Sequence, residues 1–272
     1  MTNFLHGELT FYLRGAGFRL HNALRGGHEE KVYEDGLAWI FDREKITYWR
    51  QKQYVINYRG KQVGEYYPDF VFSNGKVVMD LKASPEIINL HKAQMISYLA
   101  VTGAELGFIM NFGTVSMQTE RLPNFLNLRK PFAWKPTIST SNLFPEITNQ
   151  VLHTLHIVHH ELGPGFLHQV YRRATRAELS NQGVNFIYLK ELPIRFENLN
   201  LGTIPTRLFW IENKILLATI AVIAISDQHC EKMRWAMKEM GVPLGLIANF
   251  YPSRLDYKFI RNGQTTESAE VR

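Results

Sequence analysis

Asp69, Asp80 and Lys82 flank an Asn74-Gly75 pair that separates two runs of strand-forming residues, Tyr67–Ser73 and Lys76–Leu81. Asn-Gly between such runs is the strongest short signal for a β-hairpin. If Asn74-Gly75 is a two-residue turn, Ser73 faces Lys76, and counting outward sets Asp69 opposite Asp80. Directly opposed residues share one face of the sheet with Cβ atoms about 5 Å apart. Lys82 lies two residues beyond Asp80 and projects from that same face. Two carboxylates and an ammonium therefore converge at the open end of one hairpin. Opposed carboxylates repel unless a cation compensates, and hard oxygen ligands suit Mg²⁺ or Mn²⁺. The plainer alternative is a pair of strand-end charges with Lys82 as their salt-bridge partner.

The elements that must position these residues follow from periodicity. Phe4–Leu24 carries apolar residues at helical spacing and ends at Gly26-Gly27. A second helix is expected from His28 to Glu44, with Val32, Tyr33, Leu37, Ile40 and Phe41 inward. Strands are expected at Tyr54–Tyr58, at the two arms of the hairpin, at Leu106–Asn111 and at Ser116–Leu122, with a helix at Leu90–Thr102. The order reads α, α, β, β, β, α, β, β. Leu122–Pro145 breaks the periodicity with four prolines and reads as a linker.

Beyond that linker the first half recurs. Gly27-His28-Glu29-Glu30-Lys31-Val32-Tyr33 returns 138 positions later as Gly165-Phe166-Leu167-His168-Gln169-Val170-Tyr171, and Leu106–Phe112 returns as Leu244–Phe250. Lys52/Lys190, Gly64/Gly202, Lys76/Lys214, His91/His229, Met95/Met233 and Gly103/Gly241 keep the same offset, and no gap is needed. This is a duplicated domain.

Pro68-Asp69 followed by Asp80-Leu81-Lys82 resembles the signature of the PD-(D/E)XK nuclease superfamily. Gly27-x-x-Glu30-x-x-Tyr33, His91-x-x-Gln94 and the run from Gly107 to Asn111-Phe112 are similar to its GxxExxY family. The likeness covers nearly all of the first copy. Each short motif is weak alone; their ordered combination is specific. The resemblance implies that Asp69, Asp80 and the Leu81 carbonyl hold the metal, with Glu30 coordinating through water. It also implies that Lys82 orients the attacking water or stabilises phosphate charge, and that Gln94 positions the nucleophile or phosphate. Phosphodiester cleavage needs an activated water and neutralisation of a more negative transition state, and a metal beside a lysine supplies both. Asp80 stands where the family usually shows Glu, so this carboxylate is one methylene shorter.

At the same offset Glu30 becomes His168, Asp69 becomes Arg207, Asp80 becomes Ala218, Lys82 becomes Ile220 and Gln94 becomes Lys232. The scaffold residues stay while all five site positions change class. The second copy is therefore expected to be a pseudo-nuclease without the metal. Arg207, Lys232 and Arg234 are its candidates for a nucleic-acid phosphate surface; packing on the first copy, or serving a homodimer or protein partner, is the alternative.

Composition bounds these readings. The chain has 272 residues, a net charge of +6 and a pI near 9.3, which permits a polyanionic partner without demanding one. Cys230 is the only cysteine, so a disulfide framework and a cysteine-based zinc site are excluded. A cytoplasmic setting and no membrane contact are expected: the N-terminus lacks signal-peptide order, and Ile215–Ile225 is too short to span a bilayer and reads as one or two buried strands. His153, His156, His159 and His160 cluster on one helix, but without local acidic or cysteine partners they read as a polar face rather than a metal site. The matching His91 and His229 suggest a structural role at a helix start. The stretch Arg129–Lys135 suits either stacking on a base or packing of the linker through Phe132 and Trp134.

The expected architecture is α/β: two tandem restriction-endonuclease-like domains, each a mixed central sheet flanked by helices. Residues 1–122 carry the intact site, 123–145 the linker, 146–262 the degenerate copy and 263–272 a polar, disordered tail. The expected function is Mg²⁺- or Mn²⁺-dependent hydrolysis of nucleic acid, DNA before RNA, at one active site per chain. The rival class is a non-catalytic nucleic-acid-binding or scaffold protein.

Overall fold

Two hexapeptides, Val77–Lys82 and Leu106–Asn111, are buried along their whole length. Continuous burial marks a parallel pair covered on both faces, and the computed structural model, which describes residues 5–125, 132–134 and 143–261, pairs them in parallel. The chain divides into two units, Met1–Ile56 with Gly64–Pro131 and Asn57–Val63 with Phe132–Arg272.

The first unit contains helices α1 (Gly7–Leu24), α2 (Glu30–Arg43) and α3 (Asn89–Thr102). Its strands are β1 (Tyr48–Arg50), β4 (Phe70–Phe72), β5 (Val77–Lys82), β6 (Leu106–Asn111) and β7 (Gln118–Pro123), hydrogen-bonded in the order β1-β4-β5-β6-β7. Strands β2 (Tyr54–Tyr58) and β3 (Lys61–Tyr66) form a separate two-stranded ribbon. The hairpin register matches the sequence expectation: Phe70 pairs with Met79, Val71 with Val78 and Phe72 with Val77. Its turn differs. The ladder stops at Phe72–Val77, and Ser73–Gly75 forms a 3₁₀ turn with Ser73 and Asn74 both left-handed. The expected strand at Tyr67–Ser73 is shorter, because Pro68 has no N–H to donate to a ladder. Strands β1 and β3 were not expected; both are short, and β3 is largely polar.

The second unit repeats the plan with α4 (Pro145–Leu162), α5 (His168–Asn181) and α6 (Asp227–Met240). Strands β8 (Phe186–Phe196), β9 (Leu199–Ile211), β10 (Ile215–Ile220), β11 (Leu244–Asn249) and β12 (Asp256–Arg261) are ordered β12-β11-β10-β9-β8, with β10 and β11 parallel. Strand β8 spans the positions of β1 plus β2, and β9 those of β3 plus β4. The ladder that is interrupted in the first unit is one long hairpin here.

The residues shared by the copies hold the scaffold. Tyr33 stacks on Phe112 and Tyr171 on Phe250, each pair with centroids 4.5 Å apart. The Tyr33 hydroxyl donates to the Arg25 carbonyl at 2.7 Å and that of Tyr171 to the Gly163 carbonyl at 2.6 Å, closing each helix turn. Asn111 Nδ2 donates to the Ser84 carbonyl (2.8 Å) and its Oδ1 accepts from the Ser84 N–H (3.0 Å); Asn249 does the same with Val222 at 2.9 and 3.0 Å. His91 Nδ1 accepts the Ile88 N–H and His229 Nδ1 the Ser226 N–H, so both histidines serve a helix start. A Cβ on Gly107 would stand 2.4 Å from Met95 Cγ, and one on Gly245 2.6 Å from Met233 Cγ, so glycine lets α3 and α6 approach their sheets.

The fixed offset hides a correction. In the second unit Trp210 pairs with Leu216 and Phe209 with Leu217, one residue out of step with the first unit. Strand β9 carries an extra residue between Pro205 and Leu208, opposite the single Lys190 of β8, and Arg207 there is left-handed at φ 54°. The following turn is shorter by one, which restores the offset. A β-bulge thus sits where the first unit breaks its ladder. By sheet position the counterpart of Asp69 is Leu208, not Arg207.

Candidate active site

Strand β5 ends in Met79-Asp80-Leu81-Lys82, and alternation places Asp80 and Lys82 on one face. Asp80 is 2% and Lys82 7% exposed, so their charges meet in a nearly dry setting. Lys82 Nζ lies 2.6 Å from Asp80 Oδ2 and donates to the Leu81 carbonyl at 2.9 Å. Asp69, just before β4, accepts the Leu81 N–H at 2.7 Å through Oδ2 and a hydrogen bond from Gln51 Nε2 at 2.9 Å through Oδ1. The backbone of Leu81 is therefore gripped at both of its polar groups, its N–H by Asp69 and its C=O by Lys82.

Burial pushes the Asp69 carboxyl up to about 6, against the hydrogen bond from Leu81 and the charge of Lys82, while the charges of Glu34 and Glu30 add to the rise. Burial likewise pushes Asp80 up to about 7; Lys82 opposes, and Asp69 and Glu30 reinforce. Two carboxyls held ready to neutralise are under-compensated by one lysine.

Glu30 is the first residue of α2, where negative charge suits the helix dipole. Its Oε1 accepts the N–H of Ala83, the residue after Lys82, at 3.4 Å. Gln94, on α3, donates to the Tyr98 hydroxyl at 2.8 Å. Burial raises the Tyr98 pKa, and the charge of Asp80 raises it further, so the phenol stays protonated beside the carboxylates. Glu30, Asp69, Asp80, Leu81, Lys82 and Gln94 are thus gathered at one end of the sheet.

Sequence reasoning missed three contributors. Glu34, one turn after Glu30 and 6% exposed, accepts from Arg50 Nε at 2.6 Å and from Gln51 Nε2 at 3.3 Å. Arg50 also pairs with Asp35. Gln51 is left-handed at φ 49° and its N–H donates to the Asp69 carbonyl at 3.1 Å. The i, i+4 spacing of Glu30 and Glu34 was the available signal. Gln51 had none, since its role depends on the break between β1 and β2.

The donor set suits a hard divalent cation: Asp80 Oδ2 and the Leu81 carbonyl converge on one point, which the Lys82 ammonium takes. Among the described residues no three His, Cys, Asp or Glu side chains stand close enough to form a ready-made metal cluster.

The second unit lacks these groups. Leu208 and Ala218 occupy the carboxylate positions and Ile220 the lysine position, and with Lys232 they line a cavity. His168 lies beside Arg172 and Arg207; burial, then those two cations, lower its pKa. Arg207 is exposed on the bulge, Lys232 lines the cavity, and Arg234 pairs with Glu231. The histidine cluster is covered by aromatics: Trp134 stacks on His156 at 4.9 Å and on His153 at 5.5 Å, and Phe132 lies against His160 at 5.4 Å. Arg129, Lys130, Pro131 and Lys135 lie outside the described residues, as do Phe4 and the tail after Arg261. No described helix is long and apolar enough to cross a membrane.

No curated protein matches the chain. A solved structure titled "Crystal structure of SSO0001" matches at 16% identity and a TM-score of 0.29, covering 44% of this chain and 79% of that one. The sequence profile of the PD-(D/E)XK nuclease superfamily matches twice, over residues 7–122 and 145–262. A strand-end Asp-Leu-Lys beside a second, half-buried aspartate, on a fold repeated in tandem, accords with that match, and the chain belongs to the PD-(D/E)XK nuclease superfamily.

Proposed function

We propose that the first unit hydrolyses phosphodiester bonds in nucleic acid, with DNA as substrate and Mg²⁺ or Mn²⁺ as cofactor, and that the second unit is a pseudo-nuclease. Within the superfamily the landmarks Gly27, Glu30, Tyr33 and Gln94 favour the GxxExxY family. The observation that carries the reading is the Leu81 backbone clamped between Asp69 and Lys82, with the Asp80 carboxylate 2.6 Å from the ammonium.

Asp69, Asp80 and the Leu81 carbonyl would hold the metal, which when bound lowers the pKa of water and neutralises phosphate charge. Lys82, released from Asp80, offers its protons to a non-bridging phosphate oxygen. Glu30, at the exposed mouth, accepts hydrogen bonds from water entering the site. Gln94 keeps an amide oxygen for the nucleophile while its Nε2 is held by Tyr98. Gln51 and Glu34 fix the Asp69 side of the clamp.

Cleavage of single-stranded, duplex, nicked and branched DNA and of RNA, with Mg²⁺ and with Mn²⁺, tests the reading. Metal-dependent cutting is expected, lost by more than a hundredfold in Asp80→Ala and Lys82→Ala, the scale of removing a charge-stabilising group. No cutting of any substrate, with nucleic-acid binding unchanged in both variants, would instead support the binding or scaffold class.

A further inference from the structure

The cavity of the second unit lies where the first unit keeps its carboxylates. Its walls are Leu208, Ala218 and Ile220 from the sheet and Ala236 and Trp235 from α6. In the first unit the position of Ala236 belongs to Tyr98, whose ring is buried and packs edge-on against Tyr66 at 5.5 Å. Replacing that phenol by a methyl, and Tyr66 by Ile204, removes two rings from the same corner. About 190 Å³ is left. An apolar cavity of about 150 Å³ accommodates benzene, so this one, which opens to solvent, has room for one planar ring system.

Two features make a hydrocarbon the wrong occupant. Thr206, on the bulge side, lines the cavity, and its Oγ1 is buried with no hydrogen-bond partner. A buried hydroxyl without a partner is costly and is relieved by a ligand edge that donates or accepts. Lys232, at the position of Gln94, adds a cation to the wall, and no carboxylate lines the cavity to pair with it. Apolar ring, polar edge and adjoining negative charge together describe a nucleotide.

We infer that the erased active site of the second unit is a pocket for one unpaired nucleobase, with Lys232 on the attached phosphate. Trp235 and Ala236 border the ring, and Thr206 Oγ1 bonds its edge. Base–aromatic contact with a nearby cation is the usual chemistry of single-strand capture. The source of the base rests on the nucleic-acid reading above.

The test is calorimetric titration of the full chain carrying Asp80→Asn with dTMP, dAMP and inorganic phosphate, and with a single strand and its abasic equivalent. A nucleotide is expected to bind at least tenfold more tightly than phosphate. Ala236→Tyr, which restores the missing ring, is expected to weaken it more than tenfold, and Lys232→Ala and Thr206→Val several-fold each. The abasic strand is expected to bind more weakly than the normal strand, and Ala236→Tyr to abolish that difference. If Ala236→Tyr does not fold, Ala236→Leu takes its place. Nucleotide binding unchanged in a folded Ala236 variant, or no tighter than phosphate, would overturn the inference. The nuclease reading fails separately: wild-type chain that cuts nothing but binds dTMP leaves the pocket standing, whereas chain that cuts nucleic acid but ignores dTMP removes the pocket alone.

Discussion

Asp80 meets the Lys82 ammonium in a nearly dry setting. Its ordinary carboxyl value is 3.8, and burial raises it to about 7 in the folded state. Folding therefore favours the protonated form. The stability this contributes is complete below 3.8 and is lost as pH rises through about 7, with Asp69 adding the same trend through about 6. At about 1.4 kcal/mol per unit, Asp80 alone is worth a few kcal/mol. Metal-free protein is expected to melt at a lower temperature at pH 8 than at pH 5, and Asp80→Asn to flatten that slope; thermal unfolding across pH checks both. A midpoint that rises over this range in the wild type would place the carboxyls in better-compensated surroundings. Lys82→Met removes the compensating cation and is expected to steepen the slope, since Asp80 keeps its burial and loses its partner.

At the scale of elements, the site exists because the first unit breaks a hairpin that the second keeps whole. Gln51 and Pro68 interrupt the ladder, and the freed Asp69 turns onto the Leu81 N–H. Asn111 then pins the chain leaving β5. Asn111→Ala deletes buried hydrogen bonds to Ser84 and Gly113 and is expected to cost about 2–3 kcal/mol in denaturant unfolding. Gly107→Ala is expected to cost about 1–3 kcal/mol by forcing Met95 and α3 outward, and to lower cleavage through Gln94 and Tyr98. Much of this was legible in sequence. Asn74-Gly75 set the hairpin register although the turn itself is 3₁₀, and the repeats of Tyr33, Asn111 and His91 marked scaffold rather than chemistry. The bulge in β9 was not legible, because an added residue and a shortened turn cancel in the numbering. Arg207 therefore passed for the partner of Asp69, a place that Leu208 fills. Glu34 was signalled only by its i, i+4 spacing from Glu30 on α2, and Gln51 escaped because its role comes from a break between strands that polar local sequence does not announce.

At the scale of the whole molecule, duplication followed by divergence gives one chain two copies of a nuclease scaffold with opposite interiors. One sets a buried aspartate and lysine and a half-buried second aspartate at the sheet end; the other sets a buried leucine and a half-buried alanine and isoleucine there. A chain with one hydrolytic centre cuts one strand at a time, so nicked or single-strand products are expected before blunt double-strand cuts, and product mapping on a supercoiled plasmid checks this. The central claim, one metal centre per chain built on Asp69 and Asp80, is tested most directly by titrating the full chain with Mn²⁺. One site per chain is expected, lost in Asp80→Asn and retained in Lys232→Ala. Two equivalent sites, or a site that survives Asp80→Asn, would contradict it.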